Sequence, residues 1–188
     1  MAEPKVCVSL EAITVEEMID EATRANIAGA DYVEVRFDKL YLNKPEPITM
    51  VNDDGEEYSK MPPIEEWGVK DFEEIDVEQA IANLKEGIPV PVVFTARAVR
   101  EGGFFAGTEQ ERLQILEQGI KSEVSFVDLE LSIEKKSRDK LVKLASSSNC
   151  QVIASIHETK ATPSAEEIVT MVKDLSLIHI SEPTRLHG

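Results

Sequence analysis

Charged and imidazole side chains stand at the ends of several short apolar runs in this sequence. Glu34 and Arg36 alternate with valine and phenylalanine, so both point to the same face if this run is an extended strand. His157 directly follows another apolar run. Because imidazole titrates near neutral pH, a histidine at this position is suited to accept and return a proton. We therefore interpret His157 as a catalytic acid and base.

Further polar residues join these three in the candidate site. A charged pair in a buried strand is costly unless it is partnered, so Glu34 and Arg36 form either a structural ion pair or a cradle for substrate hydroxyls. The glycines after Arg97 lack the lysine and hydroxyl spacing of a phosphate-binding loop and predict a flexible turn over the strand ends. The other candidates, at strand ends or just beyond them, are Ser9, Arg97, Glu101, Asp128 and Glu130.

The elements that must position these residues alternate regularly along the chain. Runs rich in β-branched residues are separated by amphipathic stretches, and S/T-x-x-E capping signals at Thr14 and Thr108 mark helix starts. Pro163 is expected at the first position of the last helix. Strands are predicted at residues 5–10, 32–37, 90–96, 125–131 and 151–156, and helices at 15–28, 77–85, 109–121, 137–145 and 163–174.

This order of βα units predicts a parallel sheet covered by helices. An open doubly wound sheet and an eight-stranded barrel both fit it. No Gly-x-Gly-x-x-Gly follows the first strand, which disfavours a dinucleotide-binding open sheet. Because barrel enzymes carry their catalytic residues at the C-terminal ends of strands, the candidates favour a (β/α)8 TIM barrel, of which about five units are present.

The acidic composition of the chain limits the kinds of molecule that it can be expected to bind. The 188 residues include 36 acidic and 20 basic side chains, giving a net charge of −16. Nucleic acids and anionic membranes repel such a chain, so we expect a small-molecule substrate and neither of those partners. No apolar run reaches the ~20 residues of a membrane helix, and no leader pattern begins the sequence, which predicts a cytoplasmic protein. Cys7 and Cys150 are too few for a disulfide framework or thiolate metal cluster and are expected to be buried thiols.

Two stretches interrupt the βα pattern. Residues 43–74 are rich in proline and acidic residues, and we interpret them as a surface insertion within a domain of residues 1–175, with a short hairpin around Asp54 and Gly55. An active-site lid is the alternative for this insertion. Residues 176–188 do not continue the pattern and are expected to be a non-native tail.

Five motifs occur in order at the predicted strand ends: VSL at residues 8–10, EVRFD at 34–38, TARAVREGG at 95–103, DLEL at 128–131 and SIHETKATP at 155–163. Together they resemble the type I 3-dehydroquinate dehydratase family over residues 5–175, apart from the insertion. The resemblance implies a homodimeric (β/α)8 barrel of the shikimate pathway that dehydrates 3-dehydroquinate to 3-dehydroshikimate. It implies no metal and no organic cofactor.

The resemblance also implies roles for the site residues. His157 matches the family's proton-transferring histidine, and Glu101 matches the carboxylate that supports it. Asp128 matches an acid of the inner site. The residues that match substrate-binding positions are Ser9, Glu34, Arg36 and Arg97.

The family condenses the substrate ketone with a lysine on the sixth strand, and no lysine of this sequence aligns with that position. Lys160 and Lys173 are the nearest lysines after His157, and Arg185 lies in the expected tail. Five strands cannot close a ring, so we expect this chain alone to be catalytically inactive and poorly soluble. A Schiff-base aldolase of the same barrel class and a non-catalytic remnant stay open as alternatives.

Overall fold

The computed structural model describes residues 4–178, and a parallel five-stranded sheet forms its centre. The strands lie side by side in the order in which they occur along the chain. Each matches a predicted strand to within three residues at either end. The sheet consists of β1 (Cys7–Ser9), β2 (Tyr32–Arg36), β7 (Val92–Thr95), β8 (Phe126–Glu130) and β9 (Gln151–Ser155).

A helix follows every strand of this sheet. Each of the first four helices packs against the next one along the chain, which places these helices on one side of the sheet. A doubly wound sheet carries helices on both faces and reverses its strand order, so the observed order is that of a barrel wall. Among residues 4–178 this wall is not closed into a ring. The helices are α1 (Val15–Ile27), α2 (Val77–Gly87), α3 (Glu109–Lys121), α4 (Lys135–Ser146) and α5 (Ala165–Leu177).

The two faces of the sheet differ in chemistry because side chains alternate along each strand. The helix-facing side is apolar, and its central residues, including Val33, Val35 and Leu129, are fully buried against the helices. The opposite side, called the inner face here, carries the polar candidates toward the C-terminal ends of the strands. Toward the N-terminal ends, Tyr32 and Phe126 pack edge to face with ring centroids 5.4 Å apart. The polar site therefore lies at one end of the inner face.

Side-chain caps decide where the helices begin. Thr108 and Glu111 form the complete reciprocal capping box that starts α3, as the sequence predicts. The prediction that the last helix begins at Pro163 was wrong by two residues. Ser164 caps α5 instead, because its hydroxyl accepts from the Glu167 amide and the Glu167 carboxylate accepts from the Ser164 amide.

The insertion forms small two-stranded ribbons outside the main sheet. Strands β4 (Ile48–Val51) and β5 (Glu57–Lys60) pair as an antiparallel hairpin around Asp54 and Gly55, which confirms the predicted hairpin. Strands β3 (Leu42–Asn43) and β6 (Gly68–Val69) form the second ribbon. Within residues 4–178, no insertion side chain bonds to the polar site, and the lid alternative stays a prediction.

Two expectations about single segments have mixed outcomes. Cys150 is buried, but Cys7 is exposed, because β1 has a neighbour on one side only. The expected tail falls mostly outside the described residues, although α5 continues two residues past the predicted boundary at Leu175. No helix within residues 4–178 is long and apolar enough to cross a membrane.

We expect the purified chain to associate through the edge strand β9, where Ile153 is 38% exposed. Ile153→Lys should raise the monomeric fraction in sedimentation velocity, because a lysine on an edge strand opposes strand addition. Val69→Lys makes the same charge change in the exposed β3–β6 ribbon and serves as the control. An equal gain of monomer in both variants would attribute the effect to charge and contradict association at β9.

Candidate active site

Arg97 is the centre of the polar site, directly after β7. Its Nη2 lies 3.0 Å from Asp128 Oδ2 and 3.6 Å from Glu34 Oε1, and its Nε lies 3.9 Å from Glu130 Oε1. The Arg97 side chain is only 13% exposed. Because β2, β7 and β8 are adjacent and end at the same level, the carboxylates of β2 and β8 surround the guanidinium that follows β7 between them. This arrangement compensates the cost of burying each charge.

Glu34 does not form an ion pair with Arg36, so the structural ion-pair alternative for these two residues is wrong. The Glu34 carboxylate accepts a hydrogen bond of 2.9 Å from the buried Thr95 hydroxyl and faces Arg97. Ser9 stands beside Glu34 in strand register, at the exposed end of β1. Glu34 therefore takes its partners from β7 and the residue segment that follows it, and the substrate cradle of Glu34 and Arg36 stays a prediction.

His157 follows β9 and is partly buried beside this cluster. Burial lowers the pKa of His157, and the positive charge of Arg97 lowers it further. The carboxylates of Asp128, Glu101 and Glu34 act in the opposite direction, with the smaller combined effect. The imidazole is therefore neutral at pH 7 and available to accept a proton.

Several buried polar atoms of this region have no hydrogen-bond partner among residues 4–178. Buried polar groups are nearly always paired, so an accumulation of unpaired atoms at one place marks a surface built to contact something else. The four atoms are Arg97 Nε, Asp128 Oδ1, Ser155 Oγ and His157 Nε2.

Arg36 lies next to the cluster and is bound to a different carboxylate. Its Nε and Nη2 donate to the two oxygens of Asp38 at 3.0 and 2.8 Å. Asp38 is completely buried. Burial on its own lowers the pKa of Arg36, but Asp38 and the nearby Glu34 and Glu11 together raise it above its ordinary value, so the guanidinium stays charged.

The loop that carries Glu101 has a fixed path over the end of β7. Gly102 adopts a left-handed conformation with φ of 75°, which ends the short 3-10 helix Val99–Glu101. At Gly103, a Cβ would lie 2.2 Å from the Arg97 carbonyl oxygen, so only glycine permits this approach. The predicted turn is confirmed, while its flexibility stays a prediction. Gly103 permits the close backbone contact with Arg97.

A second buried arginine reaches the site from the helix layer. Arg112 of α3 donates to Glu130 at 2.5 Å and to the Ala96 carbonyl oxygen at 3.1 Å. Burial raises the pKa of Glu130, while Arg112 opposes that shift. Arg112 thus compensates a carboxylate that also faces Arg97.

Sequence reasoning did not assign roles to several residues that the structure places at the site. Thr95, Ser155 and Asp38 each stand two positions from a predicted site residue on the same strand, or directly beyond it, so strand alternation was an available signal. Arg112 was signalled by its spacing, because it lies three and four residues before the buried Ile115 and Leu116 on the apolar face of α3.

No metal cluster is evident among the residues that the structure describes. No group of three or more His, Cys, Asp or Glu side chains there could hold a metal ion. Lys160 and Lys173 are exposed, and no lysine of residues 4–178 forms an ion pair with Glu34, Asp128 or Glu130.

Comparison with known proteins identifies the class that this parallel wall and polar strand ends define. A family model described as type I 3-dehydroquinase matches residues 6–179. The chain belongs to the type I 3-dehydroquinase family.

Curated relatives carry the name 3-dehydroquinate dehydratase. The protein from Methanosarcina acetivorans is 28% identical over 168 residues, covering 88% of this chain and 57% of the relative. The protein from Methanothermobacter thermautotrophicus is 29% identical over 169 residues, covering 90% of this chain and 59% of the relative. This chain therefore spans just under three fifths of the length of these relatives.

Solved structures show the same fold. The 3-dehydroquinate dehydratase from Enterococcus faecalis has a TM-score of 0.71 at 23% identity, covering 95% of this chain and 63% of that one. The type I enzyme from Clostridium difficile, solved with covalently modified comenic acid, has a TM-score of 0.71 at 23% identity, covering 95% of this chain and 60% of that one. The α/β barrel-type fold predicted from the sequence is confirmed.

The charges around His157 predict two opposite shifts of its titration. Glu101→Gln removes a negative charge and should lower the midpoint, and Arg97→Gln removes a positive charge and should raise it. The midpoint can be followed by NMR in protein with 13C-labelled histidine, using His157→Gln to assign the signal among the three histidines. Midpoints that stay unchanged in both variants would contradict the described placement of His157.

Arg112→Met should lower the free energy of unfolding by about 3–5 kcal/mol, because it leaves the Glu130 carboxylate buried without its partner. Adding Glu130→Gln should recover much of this loss, since the stranded charge is then removed. Arg100→Met is the matched control, because Arg100 binds the same Glu109 as Arg112 but is 49% exposed, and its loss should cost less than about 1 kcal/mol. Urea unfolding measures all three, and equal losses for Arg112 and Arg100 would contradict this account.

Proposed function

We propose that this protein binds 3-dehydroquinate at the Arg97 cluster and supplies the proton-transfer half of a 3-dehydroquinate dehydratase site. The observation that carries the proposal is the convergence of unpaired buried atoms of Arg97, Asp128, Ser155 and His157 at one end of the inner face. Family membership supports the choice of substrate. In this proposal the wall is part of a (β/α)8 barrel of the shikimate pathway.

The proposed reaction removes water from a hydroxylated cyclic ketone. An amine condenses with the ketone to form an iminium, whose positive nitrogen makes the neighbouring C–H acidic. His157 then takes that proton and later returns it to the departing hydroxyl. A neutral imidazole is required for the first of these steps, and its lowered pKa suits that requirement.

The remaining residues bind and orient the substrate in this proposal. Glu34 and Arg97 face each other across two strand ends and offer an acceptor and donors for ring hydroxyls. Arg36 and Ser9 extend this surface on the β1 and β2 side, and Asp128 does so on the β8 side. Glu101 stabilises the protonated form of His157, because a nearby carboxylate favours imidazolium. Fixed binding groups keep the breaking bonds aligned.

The amine is the component that the described residues do not provide. We propose that 3-dehydroquinate binds to this chain without forming an iminium, because no lysine of residues 4–178 contacts the carboxylates of the cluster. On this proposal the 188-residue chain alone does not dehydrate its ligand. A cytoplasmic location and a homodimeric barrel belong to the same proposal and rest on the family alone.

Ligand binding can be tested on the 188-residue chain by following the His157 NMR signal during titration with 3-dehydroquinate. We expect a saturable shift, and Arg97→Gln should weaken the apparent affinity by about tenfold or more, since it removes charged hydrogen bonds. Arg24→Gln, an exposed arginine on α1, is the matched control and should bind as the original chain does. A His157 signal that does not shift when 3-dehydroquinate is added would refute the proposed substrate.

The missing amine is tested separately in the same samples. The absorbance of the conjugated product should not rise, and borohydride should not attach the substrate covalently, because neither step occurs without an amine in the site. Quinate, which has a hydroxyl in place of the ketone, should shift His157 like 3-dehydroquinate. Product formation or a borohydride adduct on any lysine would contradict the proposed inactivity while leaving the substrate proposal intact.

A further inference from the structure

Asp38 lies in the short 3-10 helix Phe37–Tyr41 that follows β2, and this position does not explain all of its hydrogen bonds. It follows Arg36 by two residues and is completely buried, so its charge requires partners. Arg36 supplies two hydrogen bonds, one to each oxygen. A bidentate arginine already compensates a buried carboxylate, so any additional bond points to a further function.

The additional bond comes from the loop that carries Glu101, called the Glu101 loop here and defined as residues 97–107. The backbone amide of Phe104 donates to Asp38 Oδ2 at 3.0 Å, across 66 positions of sequence. The Phe104 ring lies beside the same arginine, with the Arg36 Cζ 5.8 Å from its centroid. Lys39 lies at the same distance from this ring and forms an ion pair with Glu11. The tip of the loop is thus fixed to the end of β2.

The Glu101 loop is internally bonded, so fixing its tip also fixes Glu101. The Glu101 and Gly103 amides both donate to the Ala98 carbonyl oxygen, at 2.9 and 3.0 Å, and the Phe105 amide donates to the Arg97 carbonyl oxygen at 3.1 Å. Gly103 packs too closely against Arg97 to allow a Cβ. A displacement at Phe104 is therefore transmitted to Glu101, three residues earlier.

We propose that Asp38 is a positioning residue that couples Arg36 to the Glu101 loop, so that the group that binds substrate and the group that supports His157 are held as one unit. This inference rests on the proposed function for the meaning of the two groups, although its structural part can be tested without substrate. Asp38 itself contacts neither His157 nor the unpaired atoms of the site. It acts through Arg36 and through Phe104.

The coupling predicts a specific change at His157. Four charged groups face this imidazole: Arg97 after β7, Asp128 on β8, Glu34 on β2 and Glu101 on the loop. Glu101 and Arg97 both belong to the Glu101 loop, but ion pairs with Asp128 and Glu34 hold the Arg97 side chain. Glu101 is therefore the charged group whose position we expect to depend on the Phe104 anchor. Releasing the loop should therefore weaken the interaction between the Glu101 carboxylate and His157. The titration midpoint of His157 should then fall, as it should when Glu101 is removed directly.

The experiment is a double-mutant cycle on the 188-residue chain, with the His157 midpoint and amide exchange measured by NMR. Asp38→Asn should lower the midpoint to the value of Glu101→Gln, and the double variant should show no further change. The Phe104 amide should exchange faster in Asp38→Asn, since asparagine offers one acceptor oxygen where the carboxylate offers two, and the donors of Arg36 and Phe104 then compete for it. Additive midpoint shifts, or an unchanged midpoint in Asp38→Asn, would overturn the proposal.

Asp31→Asn is the matched control. Asp31 also accepts one backbone amide, from Val6 at 2.9 Å, and one cation, from Lys5 at 2.8 Å, but it stands before β2 at the opposite end of the sheet. It should leave the His157 midpoint unchanged, and an equal shift there would overturn the proposal by showing a general loss of packing.

A second variant decides the question if Asp38→Asn does not fold. Phe104→Leu keeps the backbone amide but removes the ring beside Arg36, and it should lower the His157 midpoint by a smaller amount in the same direction. An unchanged midpoint in folded Phe104→Leu, together with an unfolded Asp38→Asn, would assign Asp38 to stability alone. If 3-dehydroquinate fails to bind while the cycle behaves as expected, the positioning role stands and the proposed substrate fails.

Discussion

The structure of the site depends on the burial of one cation, Arg97 after β7, among carboxylates from the two strands that flank β7. A guanidinium that is 13% exposed loses most of its hydration, and the ion pair with Asp128 at 3.0 Å replaces part of it. Strand alternation then places Glu34 and Glu130 within reach on either side. Because a parallel sheet ends all its strands at one edge, the side chains at the C-terminal ends of β2, β7 and β8 meet there.

Two further arginines keep this arrangement stable at its borders. Arg112 reaches in from the helix layer and forms an ion pair with Glu130. Arg36 forms an ion pair with Asp38 on the β2 side. Each border pair therefore compensates a buried carboxylate, and Glu130 is the one that also faces Arg97. The two pairs differ in their surroundings, since Arg112 connects the site to α3 and Asp38 connects it to the loop of Glu101. The site is thus joined to the helix layer through Arg112 and to the loop of Glu101 through Asp38.

The sequence predicted the strands, the helices and the polar strand ends because these depend on periodicity, which is local. Glu34 and Arg36 could be assigned to one face from alternation with Val33 and Val35 alone. Their partners could not be assigned, because the Glu34 carboxylate faces Arg97 and the Arg36 guanidinium binds Asp38 in three dimensions. Strand alternation does not rank such pairs. The helix start at Ser164 was missed for a different reason. A side-chain cap with reciprocal bonds outweighs a favourable proline position, and both signals were present within two residues.

The charge balance of the cluster favours the proposed chemistry. Glu34, Asp128 and Glu130 carry three negative charges against the two positive charges of Arg97 and Arg112, which leaves one carboxylate in excess. A cationic iminium entering this region would be stabilised more than the neutral ketone from which it forms, and a difference of that kind accelerates a reaction. The same excess of negative charge raises the pKa of His157 and so favours its protonated form, which cannot act as a base. Burial and the adjacent Arg97 oppose that protonation, so one arginine allows an acidic site to contain a neutral imidazole.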